Sequence, residues 1–130
     1  MMTSPAKLNS VIVLAAGFLL LAALAAGGDQ KPDTEAGRAA FQKRCTGCHS
    51  LDHEKTGPRL GGVVGRKAGT ITGFPYSDAV KKSALVWNEM LLDKWLTDPE
   101  SLIPDNDMAF RLDNPAERAA IIGFLRGTSK

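Results

Sequence analysis

The chain has 130 residues and a formal net charge of +2, which gives it the length of one domain. This small charge excludes nucleic acid as the main partner, because a nucleic-acid-binding domain carries a strongly basic surface. Only seven aromatic residues follow residue 28, so the core is modest, and small domains of this kind often rely on a cofactor or a cross-link.

The first 26 residues have the pattern of an export signal. Lys7 is their only charged residue, positions 11–26 are almost wholly apolar, and Ala23-Leu24-Ala25 is a small-residue cleavage pattern. This apolar run is shorter than the roughly 20 residues that a membrane-spanning helix needs. We therefore expect a cleaved signal peptide, with an uncleaved membrane anchor as the alternative. The predicted divisions are a signal at 1–26, a lead-in at 27–32 and one domain at 33–130, exported to the periplasm.

A helix capped by Asp33 or Thr34 is predicted next, running through about Arg44. Gly37, Phe41 and Cys45 recur at four-residue intervals and therefore share one face of this helix. A glycine inside a helix costs about 1 kcal/mol relative to alanine. We expect Gly37 to lie where another element approaches closely, with Phe41 beside it as a core contact.

The residues that follow, Cys45-Thr46-Gly47-Cys48-His49, form the C-x-x-C-H pattern of a covalent haem attachment site. Each thiol can form a thioether to one vinyl group of the same haem, and the imidazole of His49 then binds the iron as its proximal ligand. Three other sites fit less well. A thioredoxin-like site lacks its βαβ context, a Cys45–Cys48 disulfide would stabilise little, and a zinc site would need His53 as a nearby fourth ligand.

The rest of the chain is predicted to alternate irregular loops with helices. Residues 50–72 are rich in glycine and lack periodicity, which predicts a loop that wraps one side of the haem. Further helices are predicted from Ser77 through Lys81 and Lys82, from the cap Asn88 to about Thr97, and from the cap Asn114 to about Arg126, where Gly127 ends it; residues 101–113 are a second loop. No segment alternates with period two, so the predicted fold class is all-α.

A second axial ligand of the iron would come, outside the signal, from His53, Met90 or Met108. His53 is too near His49 in the chain to reach the opposite face of a haem easily. Met90 lies in a helix beside Leu91 and is expected to pack in the core. Met108 lies in a loop, where a thioether can be aimed at a metal, so it is the predicted distal ligand.

Taken in order, these residues resemble the small class I cytochromes c, of the mitochondrial and bacterial cytochrome c2-like kind. The resemblance runs from about Asp33 to Arg126. It implies the cytochrome c fold, in which the N- and C-terminal helices cross, here at Gly37, Phe41 and Phe124. Long loops would wrap one covalently bound haem c.

The resemblance also implies roles for residues around that haem. Pro58 matches a proline whose carbonyl accepts a hydrogen bond from the proximal histidine, and Trp95 stands where a tyrosine often lies near the methionine sulfur. Other residues match family positions that surround the haem propionates, and these carboxylates need hydrogen-bond donors when they are buried. The predicted cofactor-binding residues are Cys45, Cys48, His49, Pro58, Arg66, Tyr76, Ser77, Trp87, Trp95 and Phe110, and the predicted metal ligands are His49 and Met108.

The implied function is that of a one-electron carrier rather than an enzyme, with His49 and Met108 bound to the iron in both oxidation states. The expected partners are redox proteins, any membrane contact being through an N-terminal anchor or through docking to membrane-bound redox complexes. A monomer is expected. The alternatives are a dedicated haem c subunit of a periplasmic dehydrogenase, and a haem peroxidase or gas binder with an open sixth site.

The acidic residues near Met108 bear on the choice of partner. They are Asp98, Glu100, Asp105, Asp107 and Asp113. Many relatives carry lysines around the exposed haem edge, so this difference allows two interpretations: a solvated loop without a binding role, or a docking face for a neutral or basic partner.

Overall fold

Helices and long loops make up the computed structural model, which describes residues 34–129. The helices are α1 (Thr34–Arg44), α2 (Asp78–Lys82), α3 (Glu89–Thr97), α4 (Pro99–Leu102) and α5 (Pro115–Gly127). Within this range the β pairing is limited to an isolated bridge between Lys67 and Val86, so the all-α prediction is confirmed. The predicted signal at 1–26, the lead-in at 27–32 and the cap at Asp33 lie outside the described residues.

Side-chain caps begin three of the helices where the sequence predicts them. The Asn88 side chain accepts a hydrogen bond from the backbone N–H of Leu91 at 2.8 Å. The Asn114 side chain accepts from Glu117 N at 3.1 Å, and Ser77 Oγ accepts from the first turn of α2 at 3.3 Å. Each cap satisfies a backbone donor that the helix itself leaves unpaired.

Two predicted helix boundaries shift. Residues 101–113 are not entirely loop, because α4 begins at Pro99, whose fixed φ suits the first position of a helix, and ends at Leu102. Helix α5 ends one residue later than the predicted end near Arg126: Gly127 is its last residue, and the C-cap is Thr128. The Thr128 hydroxyl donates to the Leu125 carbonyl at 2.6 Å, so a threonine satisfies a carbonyl at the helix end.

The crossing of α1 and α5 is confirmed. A Cβ added at Gly37 would lie 2.2 Å from the carbonyl oxygen of Ala120 and 2.7 Å from Cβ of Phe124, so only glycine permits this approach. The rings of Phe41 and Phe124 pack with centroids 5.4 Å apart. The residues of α1 that make this crossing, Gly37 and Phe41, therefore lie on the same face as Cys45.

Hydrogen bonds from the end of α5 and from the segment before α3 hold the long glycine-rich loop. Thr128 Oγ1 accepts from Gly62 N at 3.1 Å, and Ser129 Oγ donates to the Val64 carbonyl at 3.2 Å. Trp87 N donates to the Arg66 carbonyl at 2.9 Å. The loop thus has a defined path although it contains no helix.

Helix α3 buries Leu92 and Leu96 and leaves Met90 exposed over 62% of its surface. The prediction that Met90 packs in the core is wrong, because a residue two positions from Leu92 lies on the opposite side of a helix with 3.6 residues per turn. Across the described range, no helix combines the length and apolar character needed to cross a membrane.

Candidate functional site

A cavity of about 600 Å³ lies between α3, α5 and the loops. It is lined by all the predicted site residues, namely Cys45, Cys48, His49, Pro58, Arg66, Tyr76, Ser77, Trp87, Trp95, Met108 and Phe110. Its aliphatic walls include Leu92 and Leu96 of α3 and Ile121 and Leu125 of α5. None of these four is among the predicted site residues, because the periodicity of a helix marks an apolar face without indicating what that face contacts.

The turn after α1 brings both cysteines to the cavity. The backbone N–H groups of Cys48 and His49 donate to the Cys45 carbonyl at 3.1 and 2.8 Å. Cys45 is buried and Cys48 exposed, and the two thiols are not bonded to each other. Burial raises the pKa of the Cys45 thiol to about 11, and the nearby carboxylate of Glu117 adds to the effect.

The ring of His49 is fixed from behind. Its Nδ1 lies 2.7 Å from the carbonyl oxygen of Pro58, an acceptor that requires the proton to be on Nδ1 and leaves Nε2 with a free lone pair. Burial lowers the pKa of His49, and the Lys55 charge adds to this, while the bond to Pro58 opposes it. A neutral imidazole presenting Nε2 is the form in which histidine binds a metal.

Gly57 makes room for this ring. A Cβ at that position would lie 2.2 Å from Cε1 and 2.6 Å from Nδ1 of His49. The backbone N–H of Gly57 also donates to the Cys48 carbonyl at 2.7 Å, which folds the loop back on the cysteine motif. Any larger residue would displace the imidazole.

Met108 is half-buried, and its sulfur is held by the indole of Trp95, whose Nε1–H donates to Sδ at 3.0 Å. The backbone N–H of Met108 donates to Asn106 Oδ1 at 2.7 Å. The other two candidates for a distal ligand do not line the cavity. His53 is exposed, with Nδ1 2.8 Å from an oxygen of Asp52, and Met90 faces away.

Four of the predicted cofactor-binding residues, Arg66, Tyr76, Ser77 and Trp87, carry a hydrogen-bond donor and line the cavity. Arg66 donates to the Arg59 carbonyl at 2.8 Å and also to the Gly61 carbonyl, which holds its guanidinium beside the cavity. Burial lowers the pKa of Arg66 and raises the pKa of Tyr76. Ser77 caps α2, and Trp87 packs edge-on against Trp95 with ring centroids 5.4 Å apart.

The donor set fits an iron porphyrin. Two thiols, one neutral imidazole and one thioether face a largely apolar space, and basic and hydroxyl donors line it as well. Among residues 34–129 no three His, Cys, Asp or Glu side chains are grouped so as to hold a metal ion.

The acidic residues near Met108 do not form one free surface. Asp98 pairs with Arg111 at 2.8 Å, and Glu100 accepts a hydrogen bond from the Asp105 backbone N–H at 3.1 Å. Asp107 is exposed and lines the cavity, so among these acids it is the one at the site itself.

Comparison with known proteins agrees with this geometry. A family model described as Cytochrome c matches residues 34–129. The chain is 51% identical over 85 residues to a cytochrome c2 iso-2 of Magnetospirillum fulvum, covering 63% of this chain and 88% of that relative. It is 40% identical over 101 residues to a cytochrome c type-1 of Ascaris suum, covering 75% and 90%. The structure of cytochrome cH from Methylobacterium extorquens gives a TM-score of 0.69 at 40% identity, covering 73% of this chain and 98% of that one.

Proposed function

This chain belongs to the cytochrome c family of electron carriers with one covalently bound haem c, and we propose that His49 and Met108 are the two axial ligands of its iron. The observation that carries the proposal is that both line one cavity and each has its ligand atom oriented by a second residue. The Pro58 carbonyl accepts from Nδ1 of His49, and Trp95 donates to the sulfur of Met108. A thioether sulfur has two lone pairs, so it can accept this bond and still bind a metal.

Bound haem supplies a one-electron Fe(II)/Fe(III) couple, whose potential His/Met ligation tends to raise. In the proposed role the side chains orient the haem and exclude water. Leu92, Leu96 and Ile121 supply apolar walls, and Arg66 offers a positive charge for the carboxylates. If His49 and Met108 both held the iron, neither oxygen nor a substrate would find a place to bind it, which favours a carrier over a peroxidase or gas binder.

The electron is proposed to leave where the cavity lining meets solvent. Cys48, Thr56 and Ala109 line the cavity and are exposed, so a partner docking over them would approach the haem closely. These side chains are small and uncharged, which suits contact with another redox protein.

The charge-transfer absorption between methionine sulfur and Fe(III) tests the ligation. Oxidised holoprotein is expected to have this band, and Met108→Ala is expected to lose it. Met90→Ala is the matched control, since Met90 lies on the exposed side of α3. A wild-type protein without the band, or a Met108→Ala variant that keeps it, would refute the proposal.

We propose that residues 1–26 direct export to the periplasm and that residues 33–130 fold there as a monomeric haem domain. Mass spectrometry of the mature protein from a periplasmic extract gives the test. Loss of the signal and a mass gain of one haem are expected. An intact N-terminus in a membrane fraction would indicate the anchor instead.

A further inference from the structure

Arg118 of α5 is the one charged side chain among residues 34–129 that is buried, with 9% of its surface exposed. Its Nε donates to Asp93 Oδ1 of α3 at 2.8 Å. Its Nη1 donates to the carbonyls of Leu112 at 2.8 Å and Asp113 at 3.0 Å. Burying a guanidinium costs free energy unless its charge is paired and its N–H groups are hydrogen-bonded. Each of these three acceptors therefore helps to hold Arg118 in place.

The two carbonyls belong to the Met108 loop, which we define as residues 103–113. Leu112 is buried, and its backbone N–H donates to the Leu96 carbonyl of α3 at 2.8 Å. The backbone of Leu112 is therefore held on one side by α3 and on the other by Arg118. It lies four residues after Met108.

The other end of the Met108 loop is held by Asn106. Its side chain accepts from Met108 N at 2.7 Å and donates to the Ile103 carbonyl at 2.9 Å. Neither Asn106 nor Arg118 lines the cavity, so both act on Met108 only through the backbone. Asn106 fixes the residues just before Met108, and Arg118 fixes the residues after it.

We infer that Arg118 is a positioning residue that holds the Met108 loop closed and so keeps Met108 at the iron against competing ligands. The inference rests on the proposed His49 and Met108 ligation. To displace Met108, an added ligand must move this loop away from the cavity. That movement breaks the bonds from Arg118 to the loop carbonyls and leaves a buried guanidinium partly unpaired, which opposes opening.

Titration of oxidised holoprotein with imidazole tests this role. Imidazole binding is followed by loss of the methionine–iron charge-transfer band. We expect Arg118→Met to bind imidazole about tenfold or more tightly than wild type. Arg126→Met is the matched control, because Arg126 joins the same two helices through Glu89 at 3.0 Å but is half-exposed and has no bond to the Met108 loop. It should stay within about twofold of wild type.

A second control separates positioning from general loosening. Ile122 is buried on α5 and does not line the cavity, and its apolar side chain makes no hydrogen bond, so Ile122→Ala lowers stability without removing a hydrogen bond to the Met108 loop. Equal gains in imidazole affinity for Ile122→Ala and Arg118→Met, at matched unfolding temperatures, would overturn the inference. Amide exchange of Leu112 gives an independent readout and should accelerate selectively in Arg118→Met.

If Arg118→Met fails to take up haem, Arg118→Lys replaces it, because lysine keeps the charge and can reach fewer acceptors. Its imidazole affinity should lie between wild type and tenfold tighter. Whichever Arg118 variant takes up haem is used for the titration. If it binds imidazole as tightly as wild type does, the inference about Arg118 is overturned, but the proposed ligation by His49 and Met108 is not. Absence of the charge-transfer band in wild type would overturn the ligation itself.

Discussion

The two sides of the cavity are built in different ways. The proximal segment, residues 45–61, is held by backbone hydrogen bonds within itself, such as Leu60 N to the Ser50 carbonyl at 2.8 Å. The Met108 loop on the other side is held by side chains from α3 and α5, namely Trp95 and Arg118, and by Asn106. The proximal ligand thus depends on neighbouring residues, and the distal ligand on contacts far apart in sequence.

This difference predicts unequal responses to substitution. A change in the proximal segment that displaces His49 acts on a ligand whose support is local and tightly packed, and it should strongly reduce haem loading. A change on the distal side should leave the haem attached and alter its ligation or potential.

The largest effect is expected for Gly57→Ala. The added methyl carbon would lie 2.2 Å from Cε1 of His49, and overpacking of this kind typically costs about 1–3 kcal/mol and shifts the ring. We expect severe loss of covalent haem, measured as the haem-to-protein ratio after purification. Gly47→Ala is the control, because a Cβ there meets no atom within 4 Å. Normal haem content in Gly57→Ala would contradict this prediction, because it would show that the proximal segment can accommodate the added methyl group.

Trp95→Phe is expected to have an intermediate effect. It removes the N–H that donates to the Met108 sulfur at 3.0 Å while keeping an aromatic ring. That donor draws electron density from the sulfur and favours Fe(II), so its loss should lower the reduction potential by about 20–60 mV, from a hydrogen bond of ordinary strength. Haem content should be unchanged. A potential equal to that of wild type, measured by spectroelectrochemistry, would contradict the prediction.

A smaller effect is expected where α1 meets α5. Glu117 binds Arg44 through two contacts of 2.7 and 3.1 Å, and this partner lowers the pKa of Glu117 below its usual 4.5. A depressed pKa contributes stability above pH 4.5 that disappears as pH falls through the folded-state pKa. Glu117→Gln should therefore melt slightly below wild type at pH 7 and converge with it in acid. Parallel melting curves at every pH would contradict this.

The smallest effect is expected from Asp107, the exposed acid at the cavity. Asp107→Lys should speed oxidation of the reduced protein by anionic ferricyanide by a few-fold at low salt, and added salt should reduce the difference. Asp113→Lys changes the net charge equally but lies away from the cavity lining, so it should have less effect. Equal acceleration by both variants would indicate a general charge effect rather than one local to the distal side.

The same contrast explains how much could be predicted from the sequence. The cysteine motif and the caps at Asn88 and Asn114 depend on adjacent residues, so the sequence alone located them. The bonds from Trp95 and Arg118 to the Met108 loop depend on how α3 and α5 pack, which no local pattern reveals. No sequence pattern marks Arg118 as important, because an arginine in a helix is ordinarily solvated.

The error at Met90 has a different cause. It lies in the first turn of α3, two positions before the buried Leu92 and therefore on the opposite side of the helix, although its sequence neighbours are leucines. A methionine beside leucines therefore suggested burial, although the helix turns that position outward. The signal that could have corrected it was the angle between Met90 and the pair Leu92 and Leu96 on a helical wheel.

The crossing of α1 and α5 also sets an order for biosynthesis. Gly37 and Phe124 lie near opposite ends of the described chain, and Ile121 and Leu125 of α5 complete the walls of the cavity. A growing chain that lacks α5 has no Phe124 ring to pack on Phe41, so this part of the native structure must wait for α5. Enclosure of the cavity therefore comes late in synthesis, after its first wall residues have been made.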